Sequence, residues 1–146
     1  MKSLLVLSVM ALSLSANAAS TALITLTKSS GFSPRPQSVV LTISENGSVV
    51  KSVRTTKDAT KETLAKLSAN AVAALKDKIE SIEDDAKLVD PNPKAPKCMD
   101  APSTSVSVNK GGKEITLYVR ASCHTSQVEN GNADALIDLV TAFSSL

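Results

Sequence analysis

Alternation of apolar and polar residues marks the first strands of this chain. Ala22, Ile24 and Leu26 fall on one side of an extended segment, and Leu23 and Thr25 on the other, so residues 22–27 read as a β-strand. A second strand is expected from Val39 to Ser44 and a third from Ser48 to Arg54. Asn46-Gly47 supplies a tight antiparallel turn between them, because both residues tolerate positive φ. The period then changes. Leu64, Leu67, Ala71, Leu75, Ile79 and Ile82 recur at spacings of three and four, which is the apolar stripe of a helix. With Ser68 as N-cap, Leu67 and Val72 occupy the positions of a hydrophobic staple. The helix is therefore expected from about Ala69 to Ala86, and Lys61 to Leu67 forms an approach strand or an extra turn.

Three prolines in Asp90 to Pro96 end any helix, since each lacks a backbone donor and fixes φ. Val106 and Val108 alternate with serines, and Ile115, Leu117 and Val119 alternate with polar residues. Two strands thus follow, joined by a hairpin at Asn109-Lys110-Gly111-Gly112. After Cys123-His124 a polar loop is expected to run to Asn132. Asn132 then caps a closing helix, Ala133 to Ser144, which buries Leu136, Val140 and Phe143. The expected order is βββαββα. It describes an α+β domain, with an antiparallel sheet of about five strands and two amphipathic helices packed on one face. No internal repeat is visible.

The N-terminus changes what counts as the working protein. Lys2, an apolar run from Leu4 to Leu14, and small residues at Ala16 and Ala18 have the layout of a cleavable export signal. The run is too short to cross a bilayer, which needs about twenty apolar residues. Residues 1–18 are therefore expected to be a signal peptide and 19–146 a single exported domain, periplasmic or extracellular, with no membrane insertion after cleavage. Loss of Lys2 lowers the formal net charge from +2 to +1. Nearly balanced charge offers no footprint for nucleic acid. Phe32, Tyr118 and Phe143 are the only aromatics after residue 18, too few for a base-stacking platform.

Export also alters the reading of Cys98 and Cys123, the only cysteines. In an oxidising compartment two cysteines in one small domain are expected to pair. The bond closes a loop of about 25 residues and contributes about 3 kcal/mol in the chain-entropy description. The competing use is a zinc site built from Cys98, Asp100, Cys123 and His124, which requires both thiols reduced. His124 is the sole histidine, so a Cys–His pair or a serine hydrolase would have to pass through it. No nucleophile-elbow pattern accompanies it, and it reads as a polar residue at a loop end. Glu80, Glu83, Asp84 and Asp85 read as the solvated face of a helix continuing through Lys87. No catalytic residue, metal or cofactor is assigned.

Two loops are better candidates for contact with a partner. Gly31 to Pro36 sets Phe32 and Arg35, residue types common at binding hot spots, beside the stiff Pro34 and Pro36. Phe32 is either an exposed anchor or a plug for the end of the sheet. Pro91 to Pro96, with Pro93 and Pro96 tethered by Cys98, is stiff in advance and loses little entropy on binding, unless it is only a spacer. Phe32, Pro34, Arg35, Pro93 and Pro96 are thus the candidate binding residues.

The opening strand, Ser30-Gly31-Phe32, the second strand, Leu67-Ser68 opening an amphipathic helix, and the final strand pair and helix together resemble emfourin-like proteins. That family contains small protein inhibitors of thermolysin-type metallopeptidases. The resemblance implies a non-enzymatic domain whose partner is another protein, with a metallopeptidase as the sharpest case. No inhibitory residue is carried over. Two readings from other classes stand beside it: a small hydrolase using His124, and a structural protein of an envelope or matrix.

Overall fold

The computed structural model describes residues 20–31, 34–99 and 101–146. Four strands come first: β1 (Ala22–Ser29), β2 (Gln37–Ser44), β3 (Ser48–Thr55) and β4 (Ala59–Lys66). Helix α1 (Ala69–Glu80) follows, then the two-residue β5 (Leu88–Val89). The chain ends with β6 (Ser103–Lys110), β7 (Lys113–Ala121), β8 (His124–Val128) and helix α2 (Gly131–Ser144). All eight strands join one antiparallel sheet in the order β4-β3-β2-β1-β6-β7-β8-β5. This overturns the five-strand sheet and the βββαββα order. The strands beyond the expected five are β5, β8 and β4, the last being the approach strand expected at Lys61 to Leu67, here Ala59–Lys66.

Each has a physical reason for escaping the sequence pattern. β4 (ATKETLAK) is mostly exposed, so it carries little apolar alternation, and its leucine lies in phase with the helical stripe that follows. β8 (HTSQV) is polar but is zipped onto β7 from Ala121↔His124 to Tyr118↔Gln127. β5 is too short to show a period, and only its pairing with Val128 and Gln127 defines it.

The chain runs outward from a central pair twice. β1 to β4 step away from the middle in one direction and end in α1; β6 to β8 step away in the other and end in α2. The halves meet at β1 and β6, where Ile24 faces Val108 and Leu26 faces Val106. The helices then tie the halves together, because α1 reaches β6 while α2 packs on β1 and β2 as well as β7. One core results. Ile24, Leu26, Leu41, Ile43, Val49, Val106, Val108 and Leu117 of the sheet meet Val72, Leu75, Ile79, Leu136 and Val140 of the helices.

Both helix boundaries differ from those expected. Ser68 does cap α1, accepting a hydrogen bond from the Ala71 amide at 3.2 Å. The helix stops at Glu80 rather than Ala86. There the Ser81 hydroxyl donates to the Lys78 carbonyl at 2.6 Å, and the Ile82 amide donates to Ile79. Just past the helix end, two carbonyls are taken up by lysines of the β6–β7 hairpin: Lys110 donates to Ile82 and Lys113 to Asp84. Lys110 also pairs with the Asp84 carboxylate at 2.9 Å and holds its carboxyl below the usual value. The acidic run is therefore not the face of a continuing helix. The cap of α2 is Asn130, not Asn132; its side chain accepts from the amides of Asn132 and Ala133.

The second face of the sheet carries no helix. Register places Thr25 and Thr27 of β1, Thr42 of β2, Ser52 of β3, and Ser105 and Ser107 of β6 on that face, with few charges among them.

Candidate functional site: a braced loop at one end of the sheet

The pairing registers bring several connections to one end of the sheet. Ser29 pairs with Ser38 and Ser103, Arg54 with Ala59, and Ala121 with His124. The connections 30–36, 56–58 and 122–123 therefore emerge together, as does the proline segment that β5 delivers there.

That segment is fastened at every few residues. Asp90 follows β5 directly, and its Oδ1 accepts from the Asn92 amide at 2.7 Å, an Asx-turn that Pro91 stiffens. The Ala95 amide donates to the Asn92 carbonyl at 3.1 Å. His124, the first residue of β8, reaches across the loop. Its Nδ1 lies 2.8 Å from Asp90 Oδ2, and its Nε2 lies 2.9 Å from the Ala95 carbonyl. The far end is held by the Cys98–Cys123 disulfide and by the Cys98 amide donating to Ser122 at 2.9 Å.

His124 thus bridges the Asp90 carboxylate and the Ala95 carbonyl. His124 and Asp90 are well covered, with side-chain exposures of 14% and 23%. Asp90 is held below the ordinary carboxylate value, chiefly by the hydrogen bond from His124 and then by the Asn92 amide.

A second local constraint sits in the β7–β8 turn. Ser122 and Cys123 both have positive φ, at 51° and 65°. Side chains rarely adopt this region, and glycine or asparagine is its usual occupant. The turn thereby aims Cys123 at Cys98, with a Cα separation of 5.4 Å, and starts β8 so that His124 meets the loop.

Both sulfurs are committed to the disulfide, so neither a thiolate nucleophile nor thiolate zinc ligands can form from them. The two polar atoms of the His124 ring are likewise engaged. What the site offers outward is shape and charge. Pro91, Asn92, Pro93, Lys94, Pro96 and Lys97 are exposed, and Met99 is 88% exposed beside them.

The predicted binding residues fall at this end in two groups. Pro93 and Pro96 lie in the braced loop. Pro34 and Arg35 are exposed in the β1–β2 connection, whose base is closed by reciprocal hydrogen bonds between Ser30 and Gln37. Phe32 lies outside the described residues, as do Asp100 and the candidate export signal. The sequence pattern did not mark Asp90, Lys94, Lys97 or Met99. Asp90 had a usable signal, because Asp-Pro-Asn is an Asx-turn sequence and the one histidine needed a partner.

No helix among the described residues is long and apolar enough to cross a membrane. No protein-family model matches this chain, and no curated protein matches it either.

Proposed function

We propose that residues 19–146 form an exported, non-enzymatic domain that binds another protein, with inhibition of a metallopeptidase as the sharpest form of that activity. The braced loop carries the reading. Ordering a flexible segment on binding costs about 0.5–1.5 kcal/mol for each immobilised side chain, and here the backbone is already held by the disulfide, the Asx-turn and His124. The exposed prolines add contact area without rotamer entropy, Met99 adds an adaptable apolar contact, and Lys94 and Lys97 favour an acidic surface.

The disulfide fits an extracellular or periplasmic location. The resemblance to emfourin-like proteins and the N-terminal export pattern support the same reading. A loop held at both ends and rich in proline is also a poor substrate, which suits a ligand of a peptidase.

Two assays test the proposal. The mature domain is titrated against thermolysin-type metallopeptidases, and the tagged domain is used to capture partners from the exporting cell's envelope and medium. The expected result is saturable inhibition that weakens in a Lys94→Glu, Met99→Ala variant. Absence of inhibition at micromolar domain removes the inhibitor reading. Capture that the loop variant leaves unchanged removes the loop as the binding surface.

A further inference from the structure

At the other edge of the sheet, far from the braced loop, β4 ends the strand order with its outer side unpaired among the described residues. The two edges are treated differently. The β5 edge is two residues long and runs at once into Asp90-Pro91, so it presents almost no backbone for pairing. β4 presents eight residues, five of them consecutive and exposed from Ala59 to Thr63.

Beside this edge the helix-free face holds a groove of about 410 Å³, lined by Ser38, Val40, Ser52, Arg54, Ala59 and Lys61. Register explains its composition. Ser38, Arg54 and Ala59 form one row across β2, β3 and β4, and Val40, Ser52 and Lys61 form the next. Ala59 is small, which leaves space between the two cations. Arg54 and Lys61 are diagonal neighbours, a relation that sets them ~7–8 Å apart. Lys66 lies on the same face further along β4, opposite Ser48. The only carboxylate of β4, Glu62, sits on the helix side opposite Lys51. The helix-free face of β3 and β4 thus carries three cations and no carboxylate.

Lysines on an edge strand can serve simply to discourage pairing. That role accounts for Lys61 and Lys66 but not for Arg54, which comes from the interior strand β3 and turns the same face into a cationic groove. Like charges side by side are unfavourable, and an arriving anion relieves them.

We propose that the β4 edge accepts an extended, acidic segment of another protein as a ninth strand, with its carboxylates seated at Arg54 and Lys61. Main-chain hydrogen bonds to β4 supply the affinity, and alternate side chains on the helix-free face supply the selection. Side chains two residues apart on the added strand are about 6.8 Å apart, a spacing that matches the diagonal of the two cations. A bulge between Val49 and Val50 disturbs β4 after Thr63, so the docked register covers Ala59 to Thr63. This site goes beyond the braced loop and does not depend on it.

The probe is a blocked octapeptide of alternating threonine and glutamate, with a threonine–lysine octapeptide as its counterpart. Amide NMR spectra of the mature domain are the readout. Saturable shifts at Ala59 to Thr63 are expected with the glutamate peptide alone. An Arg54→Ser, Lys61→Ser variant should weaken binding about tenfold, the loss expected from two exposed ion pairs. Lys94→Glu in the braced loop should leave it unchanged. Unperturbed amides elsewhere in the double variant show that it is folded. No response in the β4 amides, equal binding of the lysine peptide, or full binding by the folded double variant overturns the proposal.

Discussion

Two residues at one turn show how local geometry serves the site. Ser122 and Cys123 hold positive φ without being glycine, and such a conformation costs roughly 1–3 kcal/mol per residue. Cys123 cannot change without losing the disulfide, but Ser122 can. Ser122→Gly should stabilise the domain by about 0.5–1 kcal/mol, since relieved strain exceeds the added freedom of glycine in the unfolded chain. A higher urea midpoint at unchanged slope is the check, and an unchanged or lower midpoint would mean that the turn is not strained. Gly47 is the opposite case. At φ +82°, a Cβ there would come within 2.5 Å of the Leu67 carbonyl oxygen, a backbone atom that cannot step aside. Gly47→Ala should cost about 1–3 kcal/mol, read from the same denaturation curves. Asn46-Gly47 was legible as a turn; the need for glycine against Leu67 was not, because that contact joins the β2–β3 turn to the start of α1.

At the scale of elements, the loop from Asp90 to Cys98 depends on one ionised carboxylate and one disulfide. The folded value of Asp90 is depressed by His124 and the Asn92 amide. A depressed acid contributes stability that is fully present above its unfolded value and is lost as pH falls through the folded value. The brace should therefore hold at neutral pH and loosen on acidification below the ordinary carboxylate range, about pH 4. Exchange of the hydrogen-bonded amides of Asn92 and Ala95, measured against pH, should rise there ahead of global unfolding. Asp90→Asn should show the faster exchange already at neutral pH. Exchange in Asp90→Asn that matches the native domain would show that the Asp90 carboxylate does not brace the loop. Cys98→Ser with Cys123→Ser removes the other fastening and should lower stability by about 3 kcal/mol. Much of this loop was legible: the prolines, the paired cysteines and the lone histidine all stand out in the chain. The link from Asp90 to His124 was not, because β8 reads as polar loop. The end of α1 was hidden for a similar reason. The apolar stripe continues to Ile82, while the Ser81 hydroxyl closes the helix on the Lys78 carbonyl and the lysines of a distant hairpin hold the turns that follow.

For the whole molecule, the strands with clear alternation were found, β4 was read only as an approach strand or extra turn, and β5 and β8 were not found. β1, β2, β3, β6 and β7 bury residues such as Ile24, Leu41, Val49, Val106 and Leu117, so their period is written in the chain. β4, β5 and β8 lie at or next to the edges, where one face or both stay wet and burial imposes little pattern. The two outward meanders, each closed by a helix, were invisible for the same reason. That arrangement raises a question that stability measurements can answer, since two similar halves could unfold separately. The packing argues against it. The β1–β6 seam is the middle of the sheet, and α2 lies over β1 and β2 while α1 reaches β6, so neither half keeps its core when the other opens. Domains with one shared core usually unfold in a single cooperative step. Tyr118, the sole tyrosine, is half-buried on β7 in the second half, whereas far-UV circular dichroism reports helix and sheet from both. The two probes should give coincident urea midpoints, and a fragment ending at Lys87 should not fold alone. A Tyr118 transition well separated from the circular dichroism transition, or a cooperatively folded 20–87 fragment, would mean that the seam joins two independent units.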